Sequence, residues 1–364
     1  MNNKKRVLMI AGMPFFKEKG SSLRVYSVLE NLSKRYQVDL VTYSLGRDIN
    51  IPNVNIYRTP LFYKPNLKVS KPTISKIILD FLLLLNVLKL SFLNRYDIIH
   101  GEDFEGAFIA YLFKKTSGRE KKFVYNLHNR VCDNLDISTG NVPFKRFFLF
   151  IEKLIIDSTN LIILNWRIYL KDPVFKDKNK FLYYDRINGS VKKYNLRINK
   201  YIVYSGNFEE YQGVKEFLNE YKNIDSNIKL VLVGDYTKNI LELIKLNKLN
   251  RQVILTGPLR TEQTNYLIKN SLFCVLPRIR GKQPSTKVIH YLMWGKPVLA
   301  NKIEANQELL EEGKNAIFYD VDSFNMKFKE VSKRIVELSL EAKQTSQFIY
   351  KNWGYDEFMD HYET

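Results

Sequence analysis

The sequence predicts an α/β protein made of two doubly wound parallel sheets, and three observations carry that reading. Short apolar runs that end near glycine and feed amphipathic segments recur from Arg6 to Leu164, the pattern of strands alternating with helices. The pattern starts afresh at Tyr201, after the basic connection KKYNLRINK, which has no apolar period and puts a domain boundary near Leu196. The 364 residues suffice for two domains that each bury a core.

In the first half, Arg6 to Ala11 reads as a buried strand and Gly12 to Gly20 as the loop after it. A helix then runs from Ser21 or Ser22 to about Lys34, with Val25, Leu29 and Leu32 inward and Arg24 near its amino end. Val38 to Tyr43 is the second strand. The loop lies at a strand's carboxyl end, where such sheets place ligands, but it lacks the G-x-G-x-x-G spacing of a nicotinamide-cofactor site. Tyr57 to Ser75 is basic and aromatic, with Lys64, Lys68 and Lys71 set among Pro60, Pro65 and Pro72. Ile74 to Leu93 is strongly apolar, yet Asp80, Asn86 and Lys89 interrupt it, which argues for a helix of the domain core over a membrane span. A second reading lays this basic stretch and helix on an anionic membrane surface. Tyr96 to His100 is a strand leading to Gly101-Glu102-Asp103, and a helix follows through Phe113. Lys122 to Leu127 is a strand ending at His128, the residue of this half best placed for chemistry; His100 reads as structural. Phe144 to Ser158 is a helix, Asn160 to Leu164 a strand, and 171–180 a charged loop.

In the second half, Tyr201 to Ser205 ends at Gly206-Asn207, followed by Tyr211-Gln212-Gly213 and a helix from Val214 to Tyr221. Lys229 to Val233 ends at Gly234-Asp235 and a helix continues through Leu246. Val253 to Leu255 leads to Thr256-Gly257-Pro258, and Thr261 to Asn270 is another helix. An apolar run then ends at Pro277 in a loop carrying Arg278, Arg280 and Lys282. Pro284, Ser285 and Thr286 offer a helix start, Val288, Ile289, Leu292 and Met293 one buried face, and Gly295 a stop before a short strand. Cations around a helix amino terminus make a place to hold phosphate; an ordinary crossover with a solvated basic loop fits the same residues.

Composition narrows the function classes. A hydrophobic content of 45% and 16 glycines exclude disorder and fibrous repeats. Cys132 and Cys274 stand far apart without metal-ligand spacing, and no His/Cys cluster appears, so no metal site is expected. The opening MNNKKRVLMIAGM has too short an apolar run for a secretory signal, and with the cysteine usage this places the protein in the cytoplasm. The net charge of +19 fits anionic lipid or a phosphorylated substrate. Scattered lysines without a nucleic-acid motif exclude nucleic acid as the expected partner.

The order Pro277, Arg278, Gly281, Pro284, Lys287, Tyr291, Leu292, Gly295-Lys296-Pro297-Val298 and Ala300 resembles the donor-binding segment of family 4 glycosyltransferases of the GT-B fold. It looks most like a branch with a Tyr-Gln-Gly loop and without the usual paired glutamates. Better-known members carry two glutamates where this chain has Lys282 and His290, and a Gly-Gly pair where it has Glu304-Ala305; the glutamate shortly after matches Glu308. The resemblance extends to Gly206, Gly234, and Gly257-Pro258, and to the amino-terminal loop with Gly20, Ser21 and Arg24. It also covers the strand VYNLHN ending in His128.

What the resemblance implies is a pair of Rossmann-like domains facing a central cleft. The first is 1–196 on the acceptor side and the second is 197–342 on the nucleotide-sugar side, with 343–364 a helix crossing back to the first. It implies a retaining, hexosyltransferase-like enzyme of polysaccharide biosynthesis, without cofactor, whose co-substrate is a nucleotide-diphosphate-sugar and whose acceptor is a glycan or a lipid-linked glycan. The enzyme would be cytoplasmic, with the inner membrane face as a peripheral location. His128 would face the donor sugar. Asn207 and Gln212 stand where members often carry an arginine and a lysine for the diphosphate, which leaves that role to Lys287 with Arg278 or Arg280. Glu308 would hydrogen-bond ribose or sugar. Loss of the paired glutamates opens an alternative, a catalytically inactive GT-B scaffold acting as a binding or regulatory partner. A nucleotide-sugar epimerase would need paired acid and base groups, and no such set is visible.

Overall fold

The computed structural model describes residues 4–17, 20–60, 74–116, 121–133, 145–184, 189–224 and 227–363. The chain divides into two compact units, Met1–Arg186 with Trp353–Thr364, and Ile187–Asn352. The division falls ahead of Leu196 because the basic connection is tied to the second unit. Lys192 N donates to Glu262 O at 3.0 Å, and Asn265 Nδ2 donates to Ser190 O at 3.0 Å.

The first unit is a seven-stranded parallel sheet in the order β3-β2-β1-β4-β5-β6-β7. Its strands are β1 Arg6–Pro14, β2 Gln37–Tyr43, β3 Val54–Arg58, β4 Ile98–Glu102, β5 Lys122–Leu127, β6 Leu161–Leu164 and β7 Lys180–Leu182. The apolar runs visible in the sequence are the central strands, buried on both faces as a covered parallel sheet requires. The edge strands β3 and β7 carry no such run: β3 is only half-buried, and β7 is three residues long and starts at the last residue of the stretch expected to be loop.

Helix α1 (Gly20–Leu32) links β1 to β2, while α2 (Ile74–Leu93), α3 (Asp103–Thr116) and α4 (Lys145–Ser158) link strands laid down in the opposite direction along the sheet. Right-handed crossovers therefore put α1 on one face and α2, α3 and α4 on the other. Among the described residues no helix is long and apolar enough to cross a membrane. Residues 61–73, which carry Lys64, Lys68 and Lys71, lie outside the described residues.

The second unit is a six-stranded parallel sheet in the order β10-β9-β8-β11-β12-β13. The strands are β8 Tyr201–Ser205, β9 Lys229–Val233, β10 Val253–Gly257, β11 Cys274–Leu276, β12 Val298–Asn301 and β13 Ala316–Tyr319. Its helices are α5 Val214–Tyr221, α6 Lys238–Leu246, α7 Thr261–Asn270, α8 Lys287–Met293 and α9 Phe324–Lys333. Aromatic rings dominate one side of this core, where Phe217, Tyr221, Tyr319, Phe324 and Phe328 pack edge to face, tilted or stacked at 5.0–6.3 Å.

The carboxyl-terminal stretch is two helices rather than the single one expected, α10 Ile335–Trp353 and α11 Tyr355–Glu363, because Gly354 interrupts them. Most of α10 belongs to the second unit. The chain re-enters the first unit at Trp353, and α11 buries Phe358, Met359 and Tyr362 in the first core with Val7, Met9, Val124 and Tyr183. Burial of each such side chain contributes roughly 1.5–3 kcal/mol.

Candidate active site

In the first unit, the carboxyl ends of β4 and β5 carry a buried polar cluster. The parallel register pairs Glu102 with Asn126. Strand alternation puts His100 on the same face as Glu102. Glu102 is fully buried and lies 2.7 Å from His128 Nε2 and 2.9 Å from His100 Nε2. Asn126 Nδ2 donates to both of its oxygens at 3.1 and 3.2 Å. Burial alone would raise this carboxyl, but the two histidines outweigh it and hold Glu102 down at about 2.

An ionised carboxylate only accepts hydrogen bonds, so His128 carries its proton on Nε2 and donates to Glu102 at 2.7 Å. Tyr362 Oη and His100 Nδ1 share a hydrogen bond at 3.1 Å. His128 Nδ1 is left as the bare nitrogen, and among the described residues it has no hydrogen-bond partner. The ring's position is fixed further by its own backbone, since Trp166 Nε1 donates to His128 O at 3.1 Å. Arg24 stacks on that same indole at 5.2 Å, so the structure joins Arg24 and His128 through Trp166. Arg24 is buried on α1, whereas Gly20 and Ser21 are exposed at its start; the neighbouring Ser22 Oγ accepts from Lys17 N.

One residue beyond Glu102, Asp103 opens α3 in the left-handed region with φ 56°, a conformation uncommon outside glycine and asparagine. Its Oδ1 is buried and has no partner among the described residues. Burial first, with the charge of Glu105 added to it, raises this carboxyl, against the charge of Lys76.

In the second unit the functional residues gather at the ends of β8 and β11. Tyr291 Oη accepts from Ser205 N at 3.1 Å, which ties α8 to the end of β8. This places Lys287 Nζ 2.9 Å from Gln212 Oε1 and 4.1 Å from the centre of the Tyr204 ring. Burial first, and the neighbouring charge of Arg278 second, push the Lys287 ammonium well below the usual lysine range. Arg278 is itself buried, with Nε donating to Arg280 O at 2.9 Å and the guanidinium 5.6 Å from the Tyr211 ring. Gly281 takes φ 119° there, and a Cβ on it would meet Arg278 Nη2 at 2.0 Å, so the loop closes around the guanidinium.

Among the described residues neither Lys287 nor Arg278 has an acidic partner. Arg280, by contrast, is exposed and paired with Glu210 at 3.0 Å, which separates two arginines that are equivalent in sequence. Helix α8 has only seven residues, so the cationic side chains, rather than an axial dipole, make this spot attractive to an anion.

The remaining candidates line the same strand ends. Asn207 O accepts from Tyr204 Oη at 2.5 Å, and its Nδ2 donates to Tyr211 Oη at 3.3 Å. Gly234 N donates to Gly257 O at 3.1 Å, and Pro258 is exposed just beyond β10. Glu308 is half-buried in the turn after Glu304–Asn306, the short helical turn that stands where a Gly-Gly pair was sought. His290, in one of the glutamate positions, is pushed by desolvation down to about 4 and is neutral near pH 7; Lys282, in the other, is exposed.

Residues 199–336 match the Glycosyl transferases group 1 family. Over 87% of its length, and 85% of the relative's, the chain is 22% identical to the uncharacterised glycosyltransferase MJ1069 of Methanocaldococcus jannaschii. The chain is a glycosyltransferase whose second unit carries the match to that family. The glycosyltransferase has the GT-B fold, which its likeness to solved structures establishes. Sucrose-phosphate synthase of Thermosynechococcus elongatus superposes with a TM-score of 0.79 at 14% identity, over 99% of this chain and 98% of that one. HepE of Anabaena, solved with UDP and with UDP-glucose, superposes with TM-scores of 0.72 and 0.70 at 14% and 13% identity. The coverage is 99% and 98% of this chain, and 98% of HepE in both cases.

Sequence reasoning about this glycosyltransferase passed over Glu102, Asn126, Trp166 and Tyr362, and it read His100 as structural. One signal was present: a histidine and a glutamate two apart at a strand's carboxyl end share a face, as do Asn126 and His128 on the next strand. The Tyr362 contact spans 262 residues and left no local trace.

Proposed function

We propose that this glycosyltransferase moves a hexose from a nucleotide-diphosphate-sugar to a glycan or lipid-linked acceptor, with retention of configuration and without a metal ion. The observation that carries this reading is the pair Lys287 and Arg278, two desolvated cations that lack an acidic partner among the described residues. Fixed cations out of water are a standing demand for an anion, and a diphosphate supplies negative charge to both. The complexes of HepE with UDP and UDP-glucose support the same ligand class. In the transfer, the bond from the anomeric carbon to the diphosphate oxygen breaks and a bond to the acceptor oxygen forms. The acceptor's proton passes to the departing diphosphate. Lys287 and Arg278 offset the charge that develops there, the work a divalent ion would otherwise do. Glu102 is committed to His100, His128 and Asn126, which favours the diphosphate as base; His128 Nδ1 accepts from a sugar hydroxyl.

The test is thermal stabilisation of the purified protein by a panel of nucleotides and nucleotide-sugars, followed by anomeric analysis of the product by NMR. One nucleotide class at a hundredfold excess over its Kd should stabilise by about 2.7 kcal/mol. No stabilisation in a folded, monodisperse sample, or an inverted product, overturns the reading. Gly206→Ala should weaken nucleotide binding about tenfold or more in calorimetric titration. Gly206 adopts φ 149°, and an added Cβ would lie 2.5 Å from Lys287 Nζ and 3.3 Å from Tyr204 Oη, displacing the ammonium.

A further inference from the structure

We propose that the outward faces of α2 and α4 seat the protein on an anionic lipid surface, which then presents the acceptor at the carboxyl edge of the first sheet. The acceptor's part in this rests on the glycosyl-transfer reading; the docking itself does not.

On α2, Ile74, Ile77, Ile78, Phe81 and Leu85 follow helical spacing along one stripe and are 79, 64, 42, 59 and 46% exposed. The opposite stripe, Leu79, Leu83, Val87 and Leu90, is buried against the unit's core. Three polar side chains of α2 have partners within the unit, Lys76 with Glu105, Asp80 with the Tyr43 hydroxyl, and Asn86 with Arg58 O, while Lys89 is exposed. The exposed stripe is therefore apolar by composition, with nothing in the core that calls for it.

Helix α4 continues the surface, with Phe147 and Phe150 each 57% exposed. Lys76 of α2 reaches Glu105 of α3, and Phe148 of α4 packs edge to face on Phe104 of α3 at 6.1 Å. The first turns of all three helices thus adjoin. They lie at the strand ends that carry Glu102, Asp103 and His128, so the apolar surface borders the polar cluster.

Charge selects the occupant. The charged residues exposed on α2 and on the first turns of α4 are Lys89, Arg146 and Lys153; the first exposed acid is Asp157, held by Lys178 at 2.9 Å. The sequence leading into α2, from Tyr57 to Ser75, contains Arg58, Lys64, Lys68 and Lys71 and no acidic residue. A docked protein is matched by a polar rim of both signs. Exposed isoleucine and phenylalanine, with Lys89, Arg146 and Lys153 the exposed charges beside them among the described residues, match acyl chains below anionic headgroups.

The experiment is co-sedimentation of the full chain with vesicles of phosphatidylcholine, with and without phosphatidylglycerol, for the parent and the double variant Ile77→Ser, Phe81→Ser. The parent should bind phosphatidylglycerol vesicles, release from them as salt rises, and bind pure phosphatidylcholine at least about tenfold more weakly. The double variant should lose about tenfold or more in vesicle binding while keeping its melting temperature and its stabilisation by nucleotide in the absence of lipid. Equal binding of both vesicle types, or full binding by the double variant, overturns the proposal. So does a parent dimer that the variant converts to monomer in sedimentation velocity, since a second copy then covers the stripe. A variant that melts several degrees lower, from a parent that ignores vesicles, also overturns it, because the chain then covers its own stripe. If nucleotide stabilisation fails while vesicle binding holds, the donor assignment falls and the docking surface stands.

Discussion

Replacing Lys287 by methionine should abolish most transfer while leaving the fold as stable as before, or more so. The Lys287 ammonium sits beside Arg278 and over the Tyr204 ring, and its one hydrogen bond among the described residues is to the neutral Gln212 amide. Burial and Arg278 both oppose its charge, so the free enzyme carries an electrostatic penalty that only an anion relieves. Methionine fills the same channel next to Gly206 without that penalty, and the gain in stability is expected at about 0–1 kcal/mol. Turnover is expected to fall on the order of 10²- to 10³-fold, the usual effect of removing one fixed contact to developing charge. The measurements are kcat/KM with the stabilising nucleotide-sugar and a melting curve of the free protein. Turnover within about threefold of the parent would remove Lys287 from the donor site, and a markedly lower melting temperature would show that its role is structural.

Glu102→Gln should act in the opposite sense on stability. A carboxyl held at about 2 against an ordinary value of 4.5 corresponds to roughly 3 kcal/mol of folding free energy. Because the folded value is depressed, that contribution is fully present above about pH 4.5 and is lost as pH falls towards 2. The glutamine variant should therefore unfold at lower denaturant than the parent at pH 7, and the gap should narrow as both are taken below pH 4. Glutamine also presents an amide N–H to a histidine that already donates. His128 must then change tautomer, and turnover is expected to fall about 10²-fold or more. A gap at pH 7 below about 0.5 kcal/mol, or one that persists undiminished at pH 3, would contradict the ionised carboxylate.

How much of this was legible beforehand depends on whether the signal was local. Helix α2 is bounded in the structure by Ile74 and Leu93, the same residues that bound its apolar run, and β5, β8 and β9 likewise coincide with theirs. Strands β3 and β7 escaped because an edge strand is covered on fewer sides and needs no continuous apolar run. His128 stood out because it follows a buried strand. Glu102 did not, since its importance comes from two histidines and an asparagine on two strands, and parallel register is invisible in one sequence. Arg278 and Arg280 could not be told apart by position; the loop path through Gly281 buries one and leaves the other to Glu210.

The first unit is discontinuous along the chain, and synthesis from the amino end gives that a consequence in time. All seven strands of its sheet have been made by Leu182, yet Phe358, Met359 and Tyr362 arrive only after the whole second unit has been translated. Until then one face of the sheet lacks its cover and His100 lacks the phenol that holds it. The second unit, contiguous from residue 187 to 352, is free to fold first on the ribosome, and the carboxylate–histidine cluster is the last part of the enzyme to be assembled.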